Sequence, residues 1–300
     1  MNERLLHFQV TEEEAGLTLR DLLRGKYGVS RRLLNRVKND GAILLNGVPE
    51  RVHRLVQAGD VVEVWLPAEQ AETLAPQPMP LAIRYEDDDL LLLAKPAGVV
   101  VHPTRTHPDR TLANGVVAYW QAKGELRRFR PVNRLDKDTS GLLLVAKNQW
   151  AHECLSRMQR RQLLKRTYWA VVHGLPRHDE GEIAAPIGLK PGSIIEREVR
   201  ADGQPAVTRY RVLARGAEVS LLELQLLTGR THQIRVHMSY LGHPLVGDDL
   251  YGGQRSLLGR QALHAAKVEL VHPRTGKLLQ FSEPLPTDMA ELVKTCVNIR

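Results

Sequence analysis

A dense polar turn that runs without a break into an apolar strand constrains this chain more than any other feature. Val132-Asn133-Arg134-Leu135-Asp136-Lys137-Asp138-Thr139-Ser140-Gly141 leads directly into Leu142-Leu143-Leu144-Val145-Ala146. The Thr-Ser-Gly step is turn chemistry: small hydroxyls that bond nearby backbone, then a residue free to take positive φ. The aliphatic run after it reads as a buried strand. Arg134, Asp136 and Asp138 are therefore held at the rigid end of a strand entering a core. A structural Arg–Asp pair is one reading of that cluster. Calcium is another, because Asp136-x-Asp138-x-Ser140-Gly141 copies the opening of an EF-hand loop. The twelfth position of such a loop needs a bidentate Glu and here is Lys147, and a strand stands where a flanking helix belongs.

Three hundred residues with 43% hydrophobic content are enough for a sizeable core and one to two domains. The net charge of +8 favours a polyanionic partner, while only 5% aromatic residues argue against a surface built mainly on base stacking. No apolar run has signal-peptide or bilayer-crossing length, so no membrane role is expected and the cytoplasm is the expected compartment. Cys154 and Cys296 share no metal spacing, which leaves neither a disulfide framework nor a zinc ribbon.

Residues 1–66 read as a small α+β unit. Leu19, Leu22 and Leu23 mark a first amphipathic helix. Ser30 caps a second one that ends at Gly41, with Leu33, Leu34 and Val37 inward and Arg31, Arg32, Arg36 and Lys38 toward solvent. A strand and turn at Ala42 to Gly47 and a strand at Val61 to Trp65 follow. Four prolines at 67, 76, 78 and 80 make residues 67–80 a semi-rigid linker, so the second domain spans 81–300. Within it, Leu90 to Ala94 is a buried strand that stops at the turn Lys95-Pro96-Ala97-Gly98. Asn148 caps a helix with Trp150, Cys154, Leu155 and Met158 on one face. Arg166 to Gly174 alternates as a strand, and Leu222 to Leu226 alternates before a helix that runs from Thr231 to Gly242. His232, His237 and His243 suggest zinc at first sight, but helical positions five apart point about 140° from each other. Zinc pairs on a helix use a spacing of four.

The stretch from Asn133 to Leu143 resembles the signature of the RluA-type pseudouridine synthases, His-Arg-Leu-Asp-x-x-Thr-Ser-Gly-Leu-Leu, with Asn133 in place of the His. Lys95 to Pro103 fits that family's Lys-Pro-x-Gly-x-x-x-His-Pro element, where turn chemistry alone is a sufficient reason for the residues and no chemical role falls to Lys95 or His102. Arg166-Thr167-Tyr168-Trp169-Ala170 matches its basic-x-Tyr-x-Ala element, and Thr228 to Met238 its Thr-Gly-Arg-Thr-His-Gln-Ile-Arg-Val-His-Met element. The resemblance implies an α+β catalytic domain around a long, mostly antiparallel mixed sheet with flanking helices. It also implies Asp136 as nucleophile, Tyr168 as the active-site tyrosine, and Arg235 facing the nucleophilic carboxylate. The turn itself would not choose Asp136 over Asp138. Residues 1–66 look like the small RNA-binding module of a ribosomal small-subunit protein and of tyrosyl-tRNA synthetases, which makes Arg31, Arg32, Arg36 and Lys38 phosphate contacts.

The activity so implied breaks the bond from ribose to base nitrogen and rejoins the uracil through carbon. It needs a nucleophile and a dry pocket, and neither cofactor nor metal. A carboxylate can open the reaction at the base or at the sugar carbon. Burial disfavours an ionised carboxylate and a neighbouring guanidinium favours it, so Arg235 is expected to pair with Asp136 through the two prongs of its fork. The target uridine must leave its stack; Tyr168 offers it a flat face, and Arg134 can reach phosphate or fill the vacated position. The expected partner is RNA, ribosomal rather than transfer, and the expected state is a monomer. A non-catalytic RNA-binding or ribosome-assembly factor is the alternative, favoured only by Asn133. A metal-dependent hydrolase lacks a ligand cluster.

Overall fold

The computed structural model describes residues 3–66 and 74–298. The N-terminal part contains strand β1 (Glu3–Gln9), helices α1 (Leu19–Gly25) and α2 (Arg31–Asp40), and strands β2 (Ala42–Leu45), β3 (Val48–Pro49) and β4 (Val61–Leu66). The strands form one sheet in the order β1-β4-β2-β3. Ser30 Oγ accepts from the Leu33 amide to open α2, and Leu33, Leu34 and Val37 are buried beneath it. Asn46 and Gly47 both take positive φ in the two-residue turn from β2 to β3, the backbone that such hairpins require.

The rest of the chain builds an eleven-stranded sheet. In chain order its elements are β5 (Ala82–Glu86), β6 (Leu90–Lys95), α3 (Leu112–Ala122), β7 (Arg130–Pro131), β8 (Ser140–Ala146), α4 (Gln149–Arg160), β9 (Lys165–His173) and β10 (Glu180–Ala184). A separate hairpin, β11 (Ile187–Leu189) with β12 (Arg197–Val199), comes next. Then follow β13 (Val207–Gly216), β14 (Val219–Leu226), α5 (Gln233–Tyr240), β15 (Leu263–Val271), β16 (Leu278–Ser282), α6 (Thr287–Cys296) and β17 (Val297–Asn298). The main path runs β10-β13-β14-β9-β15-β8-β6-β5. Among the described residues, every pairing in this sheet is antiparallel except that of β8 with β15. The α+β expectation of a long, mostly antiparallel sheet is met.

The unbroken leucines of β6 and β8 make sense once both faces of the sheet are followed. Leu90, Leu92, Leu142 and Leu144 point to one side, where they share a core with α4 and with the N-terminal part. Leu91, Leu93, Leu143 and Val145 point to the other, into the core beneath α3 and α5. A strand buried on both faces has no polar side to alternate with. Of residues 67–80, read as a linker, 67–73 lie outside the described residues, and 74–80 run along α3. Asn114 Nδ2 donates to the Ala75 carbonyl at 2.8 Å, and the Gln77 amide donates to the Asn114 carbonyl at 3.2 Å.

Three strands set the position of the polar turn. Gly141 on β8, Ala265 on β15 and Tyr168 on β9 lie in one row across the sheet. Gly141 has φ of 108°, and a Cβ there would sit 2.3 Å from the Ala265 carbonyl oxygen, so only glycine lets the strand that follows the turn approach this closely. The loop before β8 is thereby brought toward the Tyr168 strand.

Candidate active site

The loop 132–139 is tied down along its length. Asn133 is buried; its Oδ1 accepts from the Leu144 amide at 2.9 Å and so extends the β7–β8 pairing by one side chain. The Thr139 amide donates to the Asp136 carbonyl at 3.1 Å, closing the turn. Beneath it, Lys95 Nζ donates at 2.8 Å to the carbonyls of Pro96, Val99 and Lys137. Lys95, for which the local pattern suggests no role beyond its turn, therefore fastens the loop that carries Asp136. Burial pushes its amine down to about 7, against the pull of the Asp138 and Asp136 charges.

Asp136 is half-buried, with Arg235 Nη1 donating to its Oδ2 at 3.2 Å and His232 Nε2 at 3.9 Å from the same oxygen. Asp138 makes no ion pair among the described residues, which separates two carboxylates that the turn alone left equivalent. The fork of Arg235 is not spent on Asp136, as the sequence led us to expect. Its Nε and Nη2 donate to Asp248 at 2.7 and 2.8 Å, and Asp248 is 1% exposed. The guanidinium also lies over the Tyr251 ring, 4.8 Å from its centroid. One nitrogen is left for Asp136, so Asp248 is the anchor and Asp136 the presented group. Burial works against the Arg235 cation, but hydrogen bonding and charge from Asp248, and secondarily from Asp136, outweigh it and raise its pKa.

The start of α5 also differs from expectation. Its N-cap is His232, in the left-handed region at φ of 56°, and not Thr231. Gln233, the first helical residue, turns its side chain back to accept from Thr228 Oγ1 and the Arg230 amide. His232 Nδ1 lies 2.7 Å from the Tyr251 hydroxyl, which also accepts from the Arg197 amide. A tyrosine hydroxyl that accepts there has its proton free to donate to Nδ1, which places the imidazole proton on Nε2, facing Asp136. Burial lowers the His232 pKa, so the ring is neutral near pH 7. Burial likewise pushes the Tyr251 phenol up to about 12.

Asp136, Arg134 and Tyr168 line one cleft of about 470 Å³. Arg134 is exposed at its mouth, while Tyr168 is buried in its wall. Burial raises the Tyr168 phenol pKa, and the neighbouring Arg166 guanidinium opposes that. Tyr168 thus keeps its phenol proton at neutral pH. Of the α2 cations, Arg31, Arg32 and Lys38 are exposed, whereas Arg36 is half-buried and donates to Gln149 Oε1 on α4 at 2.8 Å. The three histidines once considered for zinc go separate ways: His237 is buried between Thr208 Oγ1 and the Ala185 carbonyl, and His243 lies against the His173 carbonyl.

Residues 89–240 match the RNA pseudouridylate synthase family. The chain belongs to that family. It is an RNA pseudouridine synthase, an isomerase acting on RNA. Residues 6–62 match the RluD ribosomal pseudouridine synthase N-terminal domain. The RNA pseudouridine synthase YjbO of Bacillus subtilis is 48% identical over 272 residues, covering 90% of this chain and 96% of that protein. The ribosomal large subunit pseudouridine synthase D of Haemophilus ducreyi is 37% identical over 273 residues, covering 86% and 83%. The solved structure of human RNA pseudouridylate synthase domain containing 1 superposes with a TM-score of 0.60 at 28% identity, covering 74% of this chain and 92% of that one.

Of the residues around Arg235 and Asp136, sequence reasoning missed Asp248 and Tyr251 and took His232 only as a possible metal ligand. The signal for two of them was Gly247-Asp248-Asp249-Leu250-Tyr251-Gly252-Gly253, a glycine-bounded polar turn with paired aspartates. Gly247 and Gly253 are required there, because a Cβ on either would lie 1.9 Å from a backbone carbonyl oxygen.

Proposed function

We propose that this synthase isomerises uridines in ribosomal RNA, with Asp136 as nucleophile. The observation that carries the assignment is the 3.2 Å contact from Arg235 to Asp136 in the cleft that Tyr168 and Arg134 also line. In this reading the glycosidic bond from C1′ to N1 breaks and one from C1′ to C5 forms; N1 gains a proton and C5 loses one, so the reaction balances without redox chemistry. Asp136 opens it. Arg235, locked by Asp248, holds the carboxylate at a fixed angle, a positioning that saves reorganisation in the transition state. Tyr168 stacks under the extruded uracil, and Arg134 enters the stack or meets phosphate at the mouth.

The choice of ribosomal RNA is supported by the similarity of residues 6–62 to an N-terminal domain described as that of a ribosomal pseudouridine synthase. Residues 1–66 act as the RNA-binding module through Arg31, Arg32, Arg36 and Lys38, 67–80 as the linker, and 81–300 as the catalytic domain. Asp136→Asn, which changes little volume, should abolish pseudouridine formation and leave RNA binding in place. Turnover by that variant near the parent rate, with Asp138→Asn inactive, would move the nucleophile to Asp138. Mapping pseudouridines in ribosomal RNA from cells with and without the gene tests the substrate: no site lost from ribosomal RNA would end that part of the reading.

A further inference from the structure

A second cleft of about 450 Å³ adjoins the first, between the C-terminal turn of α4, the start of β9 and the segment after β14. Gln159, Arg166, Leu226, Gly229 and Arg230 line both. The outer cleft carries Arg160, Lys165, Arg166 and Arg230 and no Asp or Glu among its described lining residues. In the inner one Asp136 is the only carboxylate among the described lining residues. A trough lined by cations thus leads from the nucleophile to the outer surface.

Arg166 is the unusual member. It is 7% exposed, its Nε has no hydrogen-bond partner, and it forms no ion pair among the described residues. Two further arginines with little exposed side chain, Arg235 and Arg260, have carboxylates, Asp248 and Asp288. Arg166 has only neutral neighbours, the Tyr168 phenol and the Gln159 amide. With the Gln159 amide turned so that its nitrogen donates to the Val132 carbonyl at 3.1 Å, its oxygen accepts from Arg166 Nη2 at 3.2 Å. A buried cation without counter-charge is costly, and in a binding protein the missing charge commonly comes with the ligand. Gly229 keeps the approach open. A Cβ there would stand 3.6 Å from both Arg166 Nη2 and Gln159 Nε2, and its φ lies outside the left-handed region, so the backbone does not demand glycine. Arg230 is held in the same way by neutral acceptors, the Pro205 carbonyl and Gln204 Oε1.

We propose that this outer cleft is the channel for the single-stranded RNA flanking the target uridine, and that Arg166 takes one of its phosphates as the counter-charge the protein itself does not supply. The two non-bridging oxygens of a phosphodiester fit a guanidinium edge, and the neighbouring Arg160 and Arg230 meet adjoining phosphates. A strand leaving along α4 runs toward the helix end where Gln149 meets Arg36 of α2, which links the two basic surfaces. The inference rests on the RNA isomerase reading, and it is tested without turnover so that the two can fail separately.

The test is binding of the full chain to a fluorescent oligouridylate about twenty nucleotides long, followed by anisotropy over a range of salt, with thermal unfolding of every variant. Arg166→Met should weaken binding and reduce the slope of log affinity against log salt by about 0.7, the value for one phosphate contact on a single strand. Arg166→Lys should recover much of that affinity. Gly229→Asp, which leaves Arg166 in place but brings a carboxylate beside it, should weaken binding about tenfold or more. A folded Arg166→Met with the parent slope would make Arg166 a structural cation and overturn the channel. If Arg166→Met does not fold, Gly229→Asp decides, and parent affinity in that variant overturns the proposal as well. Pseudouridine formation by Asp136→Asn, measured separately, judges the nucleophile and leaves the channel result standing.

Discussion

At the scale of single residues, the site is an array in which one arginine serves two aspartates unequally. Asp248 takes the fork and is sealed from water, while Asp136 receives a single prong and stays reachable. Arg235→Lys keeps the charge and loses the planar fork, so we expect the single-turnover rate to fall at least about tenfold. Arg235→Ala strands Asp248, a buried charge whose lost partner costs about 3–5 kcal/mol. Arg235→Ala combined with Asp248→Ala should be the more stable of the two by thermal unfolding; equal stability would remove the stranded-charge argument. Lys95 gives a pH prediction. Its folded pKa of about 7 lies below the ordinary lysine value, so between the two the unfolded chain binds more protons and stability rises with pH. Only the ammonium has three N–H donors for the three carbonyls it meets, however, and deprotonation frees one of them. Stability and rate should move in opposite directions as pH rises from neutrality, and Lys95→Met should lose this divergence. Asp136, Tyr168 and Arg134, which line one cleft, stand out in the sequence because each sits in a continuous local pattern. Asp248 does not, since what ties it to the cleft is a contact with Arg235 thirteen residues earlier that no local period encodes. His232 was seen and weighed only as a metal ligand, because its left-handed cap conformation turns it toward Asp136 in a way that helical geometry does not anticipate.

Elements carried their own signals unevenly. The cap at Ser30, the alternation of β14 and the aliphatic run of β8 were readable because propensity, period and burial agree there. The start of α5 was misplaced by one residue, as the hydroxyl of Thr231 looks like a cap while Gln233 satisfies the open turn from inside the helix. Arg36 was read as one more solvated cation, yet it is half-buried against α4, a contact that only the tertiary arrangement creates. That difference divides the cations of α2. Replacing the exposed Arg31, Arg32 and Lys38 with alanine should lower the salt slope of RNA binding by roughly one unit per lost phosphate contact, with little change in saturating single-turnover rate. Arg36→Ala should instead act partly through stability, lowering the unfolding temperature where the other three do not. A large loss of rate at saturating RNA with unchanged affinity, in the triple variant, would place α2 at the chemistry and end its assignment as a binding element.

For the whole molecule, the four-stranded N-terminal part is a wall of the main core. Leu5, Leu22, Leu33 and Val62 share one continuous apolar cluster with Leu92, Leu144, Trp150 and Leu270 of the large sheet and α4. Polar contacts seat it: Trp150 Nε1 donates to the Tyr27 carbonyl at 2.7 Å, and Arg274 donates to the Leu5 carbonyl while holding Asp89 through two bonds of 2.6 and 2.7 Å. The Arg274 guanidinium lies over the Trp150 ring, 5.2 Å from its centroid. The leucines of β6 and β8 implied a cover on both faces, but nothing in their order said that residues 3–66 would provide one of them. Trp150→Ala should open a cavity in the shared core, leave the Tyr27 carbonyl unpartnered and remove the surface under Arg274, at a cost of about 3–5 kcal/mol. Because both parts lean on the same side chain, the loss should appear as a shift of one cooperative unfolding transition, followed both by circular dichroism and by the fluorescence of Trp65 in β4, with the remaining tryptophans of the large sheet region as a second set of probes. Two separated transitions in the parent protein, with Trp150→Ala moving only one, would mean that the N-terminal part stands on its own core and merely rests against the sheet.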